Sequence, residues 1–325
     1  MPKVSVIIPI YGVEKYIERC ARNLFEQTLE DIEFIFVDDC TKDNSIHVLE
    51  RVIEDYPYRH DQIKIIHHKC NKGLPQARRT GMSVAIGEYI AHCDSDDWVE
   101  KDMYEILYRI AVENNADMVS CNYNEEKNGK TRPVYKTISP KDSNVTLLKR
   151  IMMDVGNLNP VWSLLIARDL YDKITFPTSN QSEDFVMVTQ FFMRSKKRAV
   201  TTKHLYHYSI NQQSISHNPD REKCIKRLNE AINNRQLVYN CIKDSIYGDA
   251  LAKEIIVSKA MTKYFVIKLE KDNEFKPLWN SIFPEVNTSL LFTTGVPLKF
   301  RFFHLLVQLN MPCFYNLLKI FPQFR

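Results

Sequence analysis

Asp94, Asp96 and Asp97 fall within four positions of the stretch YIAHCDSDDWVEKD (89–102), directly after an apolar run. Two carboxylates about 5 Å apart at an effective dielectric of about 20 repel by roughly 3 kcal/mol unless a cation or a proton intervenes. Two readings answer that repulsion. Asp96 or Asp97 can cap a helix that starts near Trp98. Alternatively the acids hold Mg2+ or Mn2+, which take oxygen ligands from one or two carboxylates together with the phosphates of a substrate. Three other stretches carry similar groups. VDDC (37–40) sets Asp38 and Asp39 after an apolar run, where a turn and helix cap is the plain explanation. NKGLPQARRTGM (71–82) supplies Gly73 for a turn, a helix opening near Pro75 and Arg78 one turn in. That is either a solvated basic face or a helix start suited to a diphosphate beside a metal. QSEDF (181–185) places Glu183 and Asp184 at a favourable helix N-terminus.

These groups need elements to position them. Short runs rich in β-branched and aromatic residues recur: VSVII (4–8), FIFV (34–37), IKII (63–66), EYIAHC (88–93) and DMVSC (117–121). Between them lie apolar faces at helical spacing: Ile17, Cys20, Ala21 and Leu24; Ile46, Leu49, Val52 and Ile53; Met103, Ile106, Leu107, Ile110 and Ala111. The alternation predicts an α/β fold built of right-handed βαβ units around a parallel sheet covered on both faces. Ligands of such sheets bind beyond the carboxyl ends of the strands. Pro9 and Tyr11 follow the first run, Asp38 and Asp39 the second, and Asp94 to Asp97 the fourth. The polar stretch 122–145 reads as an excursion or hairpin, 159–177 and 179–193 return to packed structure, and the chain beyond Pro219 reads as helical.

Composition narrows the class. The 325 residues are 44% hydrophobic and 26% charged, as in an ordinary soluble globular protein, and long enough for a main domain and a smaller one. A formal charge of +4 is too weak and dispersed for nucleic acid but compatible with an anionic ligand or membrane surface. The eight cysteines form no CxxC pair, which favours free thiols in a reducing compartment over structural zinc. KVSVIIPIYG lacks the features of a signal peptide, and no window of about 20 residues reads as a membrane span. A cytoplasmic protein is expected.

The ordered set VSVIIPIYGVEKYIERCARNLFEQTLEDIEFIFVDDCTKDNS, NKGLPQARRTGMSVAIGEYIAHCDSDDW and SEDF resembles the family 2 glycosyltransferases over residues 3–215. The resemblance implies the GT-A fold: a Rossmann-like, mostly parallel sheet with helices on both faces, here over 1–218, followed by a smaller helical region, 219–325. It also implies inverting transfer from a nucleotide-diphosphate sugar of UDP-hexose type to a hydroxyl of a glycan or lipid-linked acceptor, with Mn2+ or Mg2+ as cofactor and a role in cell-surface polysaccharide synthesis. By the same resemblance Pro9, Tyr11 and Glu14 line the nucleoside pocket, and Asp39, with Asp38 beside it, accepts from the N–H of a uracil-type ring. Arg78 approaches the phosphates, Asp94 and Asp96 are the metal pair, and Ser95 and Asp97 contact the donor. Asp184 is the general base. Trp162, Glu183 and His207 fall on the acceptor side, with a core tryptophan the equal reading of Trp162, and His207, Asn211 and Ser214 are expected to close over the diphosphate unless the histidine is simply packed. A non-catalytic nucleotide-sugar binding protein is the alternative. A sugar-nucleotide pyrophosphorylase or an NAD enzyme would need a glycine-rich loop that PIYGVEKY does not supply.

After Glu285 the chain carries no acid, while Lys299, Arg301, Lys319 and Arg325 are interleaved with phenylalanines. Residues 286–325 therefore read as amphipathic helices for peripheral contact with the inner face of a membrane, for packing on the catalytic domain, or for a homodimer.

Overall fold

The computed structural model describes residues 1–172, 174–210, 221–263, 275–294, 296 and 298–309. Strands β1 (Val4–Ile10), β2 (Ile32–Asp38), β3 (Ile63–His67) and β4 (Tyr89–His92) arise from the first four apolar runs, and β1 and β2 are buried along their whole length. They alternate with α1 (Ile17–Phe25), α2 (Ser45–Glu54) and α3 (Leu74–Val84). The later elements of the sheet are β5 (Trp98–Val99), β6 (Met118–Lys127), β7 (Lys130–Val134), β8 (Leu164–Ala167) and β9 (Arg198–Ser209). The strand order is β3-β2-β1-β4-β8-β6-β9-β5, with β7 paired to β6.

The pairs β1–β2, β2–β3, β1–β4 and β6–β9 are parallel. The expected continuation of parallel βαβ units fails at the fifth run: β8 inserts between β4 and β6 and runs antiparallel to both. The polar excursion is a hairpin, as expected. Its turn is Asn128–Gly129, both with positive φ, the backbone that a tight two-residue hairpin turn demands. β6 itself extends six residues past the apolar run, because Tyr123 to Lys127 pair with β7 and Asn122 to Glu126 pair with β9.

Side chains of β1 divide between two cores. Val4, Val6, Ile8 and Ile10 pack with Ile17, Cys20, Ala21 and Leu24 of α1 and with α4 (Met103–Asn114). Ile7 faces the other way, toward Ala77 of α3 and Phe185, Val188 and Phe191 of α6 (Glu183–Arg194). This alternation with period two is what a sheet covered on both faces requires. Close approach of α3 depends on Gly81, where a Cβ would lie 2.5 Å from Ile7 Cγ2.

α5 (Asn144–Met152) packs on α6, and the expected helices beyond Pro219 are α7 (Arg221–Lys243) and α8 (Gly248–Lys263). Short α9 (Phe275–Ser281) and α10 (Val286–Ser289) precede α11 (Leu298–Gln308). Leu228, Val238 and Ile242 of α7, Leu251 and Val257 of α8, and Trp279 share one hydrophobic core with α6. The helical region is thereby fastened to the side of the sheet that carries Glu183 and Asp184.

Candidate active site

Parallel register brings the ends of β1 and β2 side by side, with Ile10 opposite Asp38, and sets His92 of β4 opposite Ile7. The polar residues that follow these strands therefore meet at one edge of the sheet. Residues 94–97 form a tight turn, closed by an Asp97 N–H to Asp94 C=O bond of 3.0 Å and tied to β1 by Ser95 Oγ, which donates to the Pro9 carbonyl at 2.6 Å.

The three acids of the turn have separate environments. Asp97, expected to contact the donor, is fully buried and accepts from Tyr206 Oη at 2.8 Å and the Ser209 N–H at 2.7 Å. It anchors the turn to β9 and offers no surface to a ligand. Burial, followed by the charges of Asp96 and Asp94, pushes its carboxyl well above the usual range. Asp94 accepts from Arg78 Nη2 at 2.8 Å. Among the described residues no side chain donates to the Asp96 carboxylate, and burial and the charge of Asp94 raise it to about 6.

Arg78 is only 1% exposed, so it is not the solvated face that its sequence allowed. Its Nε donates to Glu183 Oε1 at 3.1 Å and its Nη2 to Asp94, joining α3, α6 and the 94–97 turn through one guanidinium. Burial works against its charge, but Glu183, Asp94 and Asp184 outweigh burial and raise its pKa. Glu183, expected on the acceptor side, is buried and serves as the counter-charge of Arg78.

Asp184 is half-buried; its Oδ2 faces the Val161 N–H at 3.5 Å and its Oδ1 has no partner. Arg78 Nη1 and Glu183 Oε2 are likewise buried without partners. Unpaired buried polar atoms are rare in folded proteins, and here three fall on neighbouring groups. Burial and then the charge of Glu183 raise Asp184 well above the ordinary carboxylate range.

The residues expected to line the nucleoside pocket are more tightly tied than their motif implied. Asp39 accepts from the N–H groups of Lys72 and Gly73, both at 2.8 Å, and faces His68 Nδ1 at 2.7 Å. A carboxylate offers about four acceptor positions, so roughly one remains for a ligand N–H. Asp38 accepts from the Thr41 N–H at 2.8 Å and faces His67 Nδ1 at 3.0 Å. Glu14 accepts twice from Asn44, both at 3.1 Å, which holds its loop against the start of α2. Tyr11 is exposed. Gly73 takes a positive φ of 88° ahead of α3, and the Leu74 N–H is already capped by Asn180 Oδ1 at 3.0 Å.

Two acceptor-side expectations are corrected by packing. Trp162 is buried, stacked on Tyr206 at 4.0 Å and edge-on to Tyr123 at 4.8 Å. His207 stacks on Trp98 at 3.5 Å, with Nδ1 3.2 Å from Glu126 Oε1 and Nε2 2.8 Å from Glu100 Oε1. Both ring nitrogens are committed, so His207 fastens β5 and β6 to β9 and does not reach a diphosphate. Asn211 and Ser214 lie outside the described residues.

Two residues of the site, Tyr206 and Arg19, escaped motif reading, as did the environment of Lys136. Tyr206 bridges the turn, donating to Asp97 and accepting the Asp94 N–H at 3.0 Å. Arg19 of α1 donates to the Asp96 carbonyl at 3.3 Å and to Ser209 Oγ at 2.7 Å. Lys136, just beyond β7, is pushed down to about 8 by burial, against the opposing charges of Cys121 and Asp184. The signal for Tyr206 was its alternation with Leu205 and His207 in a long strand; Lys136 had none.

The site also fits a divalent cation. Asp94, Glu183 and Asp184 act on a single guanidinium, and Asp96 stands beside Asp94, so negative charge is in excess. Among the described residues no group of three or more His, Cys, Asp or Glu is placed to hold a metal ion. Such a cation would draw its remaining ligands from substrate phosphates, as Mg2+ sites commonly do.

A family model described as glycosyl transferase family 2 matches residues 5–179. The chain is 30% identical over 250 residues to the uncharacterized glycosyltransferase EpsJ of Bacillus subtilis, covering 74% of this chain and 70% of that protein. Its fold is similar to that of S. aureus TarS 1–349 in complex with UDP-GlcNAc, with a TM-score of 0.68 at 19% identity over 97% of this chain and 89% of that one. It is also similar to the mannosyltransferase PcManGT from Pyrobaculum calidifontis in complex with GDP-Man and Mn2+, with a TM-score of 0.55 at 17% identity over 98% and 88% of the two chains.

Proposed function

This chain belongs to glycosyl transferase family 2, and from that membership we propose that it moves a hexose from a UDP-sugar to a hydroxyl of a glycan or lipid-linked acceptor, with inversion, in cell-surface polysaccharide synthesis. The observation that carries the reading is the convergence of the Asp94–Asp96 turn, the buried Arg78 and the unpartnered Asp184 Oδ1 at one edge of the sheet. The nucleotide sugars bound by TarS and PcManGT support a donor of this class.

Asp184 accepts the proton of the acceptor hydroxyl. The oxygen attacks the anomeric carbon as the bond to the diphosphate breaks on the opposite side, giving an inverted glycoside and a free nucleoside diphosphate. Raising Asp184 above the ordinary range makes its ionised form a stronger base. Arg78 keeps Asp94 and Glu183 in place. Asp96 and Asp94 would hold Mn2+ or Mg2+. When bound, such an ion neutralises charge on the departing diphosphate. Asp39 offers its remaining acceptor position to the base, beside Pro9, Tyr11, Glu14 and Asp38.

A panel of UDP- and GDP-sugars in thermal shift, with and without Mn2+, tests the donor class. At least one UDP-hexose is expected to raise Tm in the presence of the metal; a panel without any shift would refute the reading.

The pH dependence follows from the neighbours of Asp184. Transfer falls as pH drops through the Asp184 pKa, because only the ionised carboxylate accepts a proton. Removing the Glu183 charge lowers that pKa, so Glu183→Gln should move the acid limb of the pH–rate profile to lower pH. An unmoved limb, or one displaced upward, counts against Asp184 as the titrating base.

A further inference from the structure

α11 has two unlike faces. Val307, Leu306 and His304 are buried, and His304 accepts from Trp279 Nε1 at 3.3 Å while its Nε2 lies 2.7 Å from the Asn287 carbonyl. On the opposite side Leu298 is 79% exposed, Phe302 59%, Leu305 39% and Leu309 59%. Their spacing of four, three and four residues places them in one stripe along the helix. The helix continues to Leu309, whose N–H donates to the Leu305 carbonyl at 2.9 Å. Phe292, 81% exposed, precedes the same helix. Scattered exposed apolar residues need no explanation, but a stripe of leucine and phenylalanine on one helix face does.

Charge identifies the occupant. From Val286 onward the sequence has four Lys or Arg and no Asp or Glu. Arg301 is committed to the carbonyls of Val296, Leu291 and Thr293, and the sequence adds Lys299, Lys319 and Arg325 as the remaining bases of the segment. A second copy docked on this face would bring its own acid-free segment against this one. A bilayer with anionic headgroups complements both the apolar stripe and the basic, acid-free sequence of the segment that carries it. No helix among the described residues is long and apolar enough to cross a membrane.

We propose that the Leu298, Phe302, Leu305 and Leu309 face of α11 is a docking surface for an anionic lipid bilayer, on which the helix lies in the interface. This surface is independent of the donor chemistry, so its failure would leave the transferase reading untouched. Deleting 286–325 is a poor test, since Val286, Leu290, Val296 and Val307 belong to the core. Substituting exposed side chains is cleaner.

The full chain should float with phosphatidylglycerol–phosphatidylcholine vesicles and much less with phosphatidylcholine alone, and the anionic binding should weaken at high salt. The double substitution Leu298→Asp, Phe302→Asp should reduce the bound-to-free ratio about tenfold or more with an unchanged Tm. Phe302→Trp provides a second reading that does not depend on losing binding: the emission it adds to that of the native tryptophans should shift to the blue when anionic vesicles are added. Equal flotation of wild type and the double variant would overturn the proposal, as would added emission from Phe302→Trp that ignores the vesicles. Light scattering that showed a wild-type dimer made monomeric by the double variant, without vesicle binding, would reassign the stripe to self-association.

Discussion

Asp184→Asn is expected to lower sugar transfer by about 10²–10⁴-fold, the usual contribution of a positioned general base, while leaving the affinity for UDP nearly unchanged. The amide keeps the shape of the carboxyl group and can still meet the Val161 N–H through its oxygen, but it cannot take a proton. Asp184 touches neither Asp38 nor Asp39, so the nucleoside side of the site should not sense the change. Initial rates of UDP release with an active acceptor, paired with calorimetric UDP titration, separate the two effects. Transfer within tenfold of wild type would move the base to another group. Loss of UDP affinity in proportion to the loss of rate would give Asp184 a binding role.

Arg78→Met should have the largest effect on stability. The guanidinium is the one cation hydrogen-bonded to both Asp94 and Glu183 among the described residues, and it is buried. Breaking a buried ion pair by removing one partner costs about 3–5 kcal/mol, because the surviving charges lose their compensation. For a chain of this size that corresponds to a Tm lowered by roughly 4–7 °C. Arg78→Lys should rescue little, since an ammonium does not reproduce the fork that reaches α6 and the 94–97 turn together. The double variant Arg78→Met, Glu183→Gln should recover part of the loss relative to additivity. A Tm within about 2 °C of wild type for Arg78→Met would contradict the assignment of Arg78 as the tie between these elements.

Much of this arrangement was legible in the sequence because it is written in local patterns. Apolar runs and helical faces located β1 to β4 and α1 to α4, and the rule for parallel sheets then gathered Pro9, Asp38, Asp39 and Asp94 to Asp97 at one edge. What local pattern does not encode is pairing between distant segments. Insertion of β8 between β4 and β6 sets Leu165 between Ala91 and Val119, and nothing in LLIA states that it runs antiparallel to both. Asp97 looked like a ligand group until β9 brought Tyr206 and the Ser209 N–H against it. His207 could be read either as packed or as closing over a ligand until Trp98, Glu100 and Glu126 enclosed it. Trp162 followed the same course, since an aromatic residue in a sequence does not announce that Tyr123, Tyr206 and Tyr208 will surround it. Lys136 stands in the polar excursion, where a lysine is ordinarily solvated, yet just past the β6–β7 hairpin it is half-buried and pushed down to about 8. The acids were found by type and spacing; their division into anchor, counter-charge and free group came from the partners that the fold supplied.

The claim that most needs testing is that the Asp94–Asp96 turn is half of a metal site completed by the nucleotide. Calorimetric titration of Mn2+ into the wild-type chain, with and without saturating UDP, measures it directly. Weak binding alone and much tighter binding with UDP are expected, with the enhancement lost in Asp96→Asn and weakened as pH falls through about 6, where a proton competes for that carboxylate. Equal Mn2+ affinity with and without UDP, or an enhancement that survives Asp96→Asn, would contradict the account.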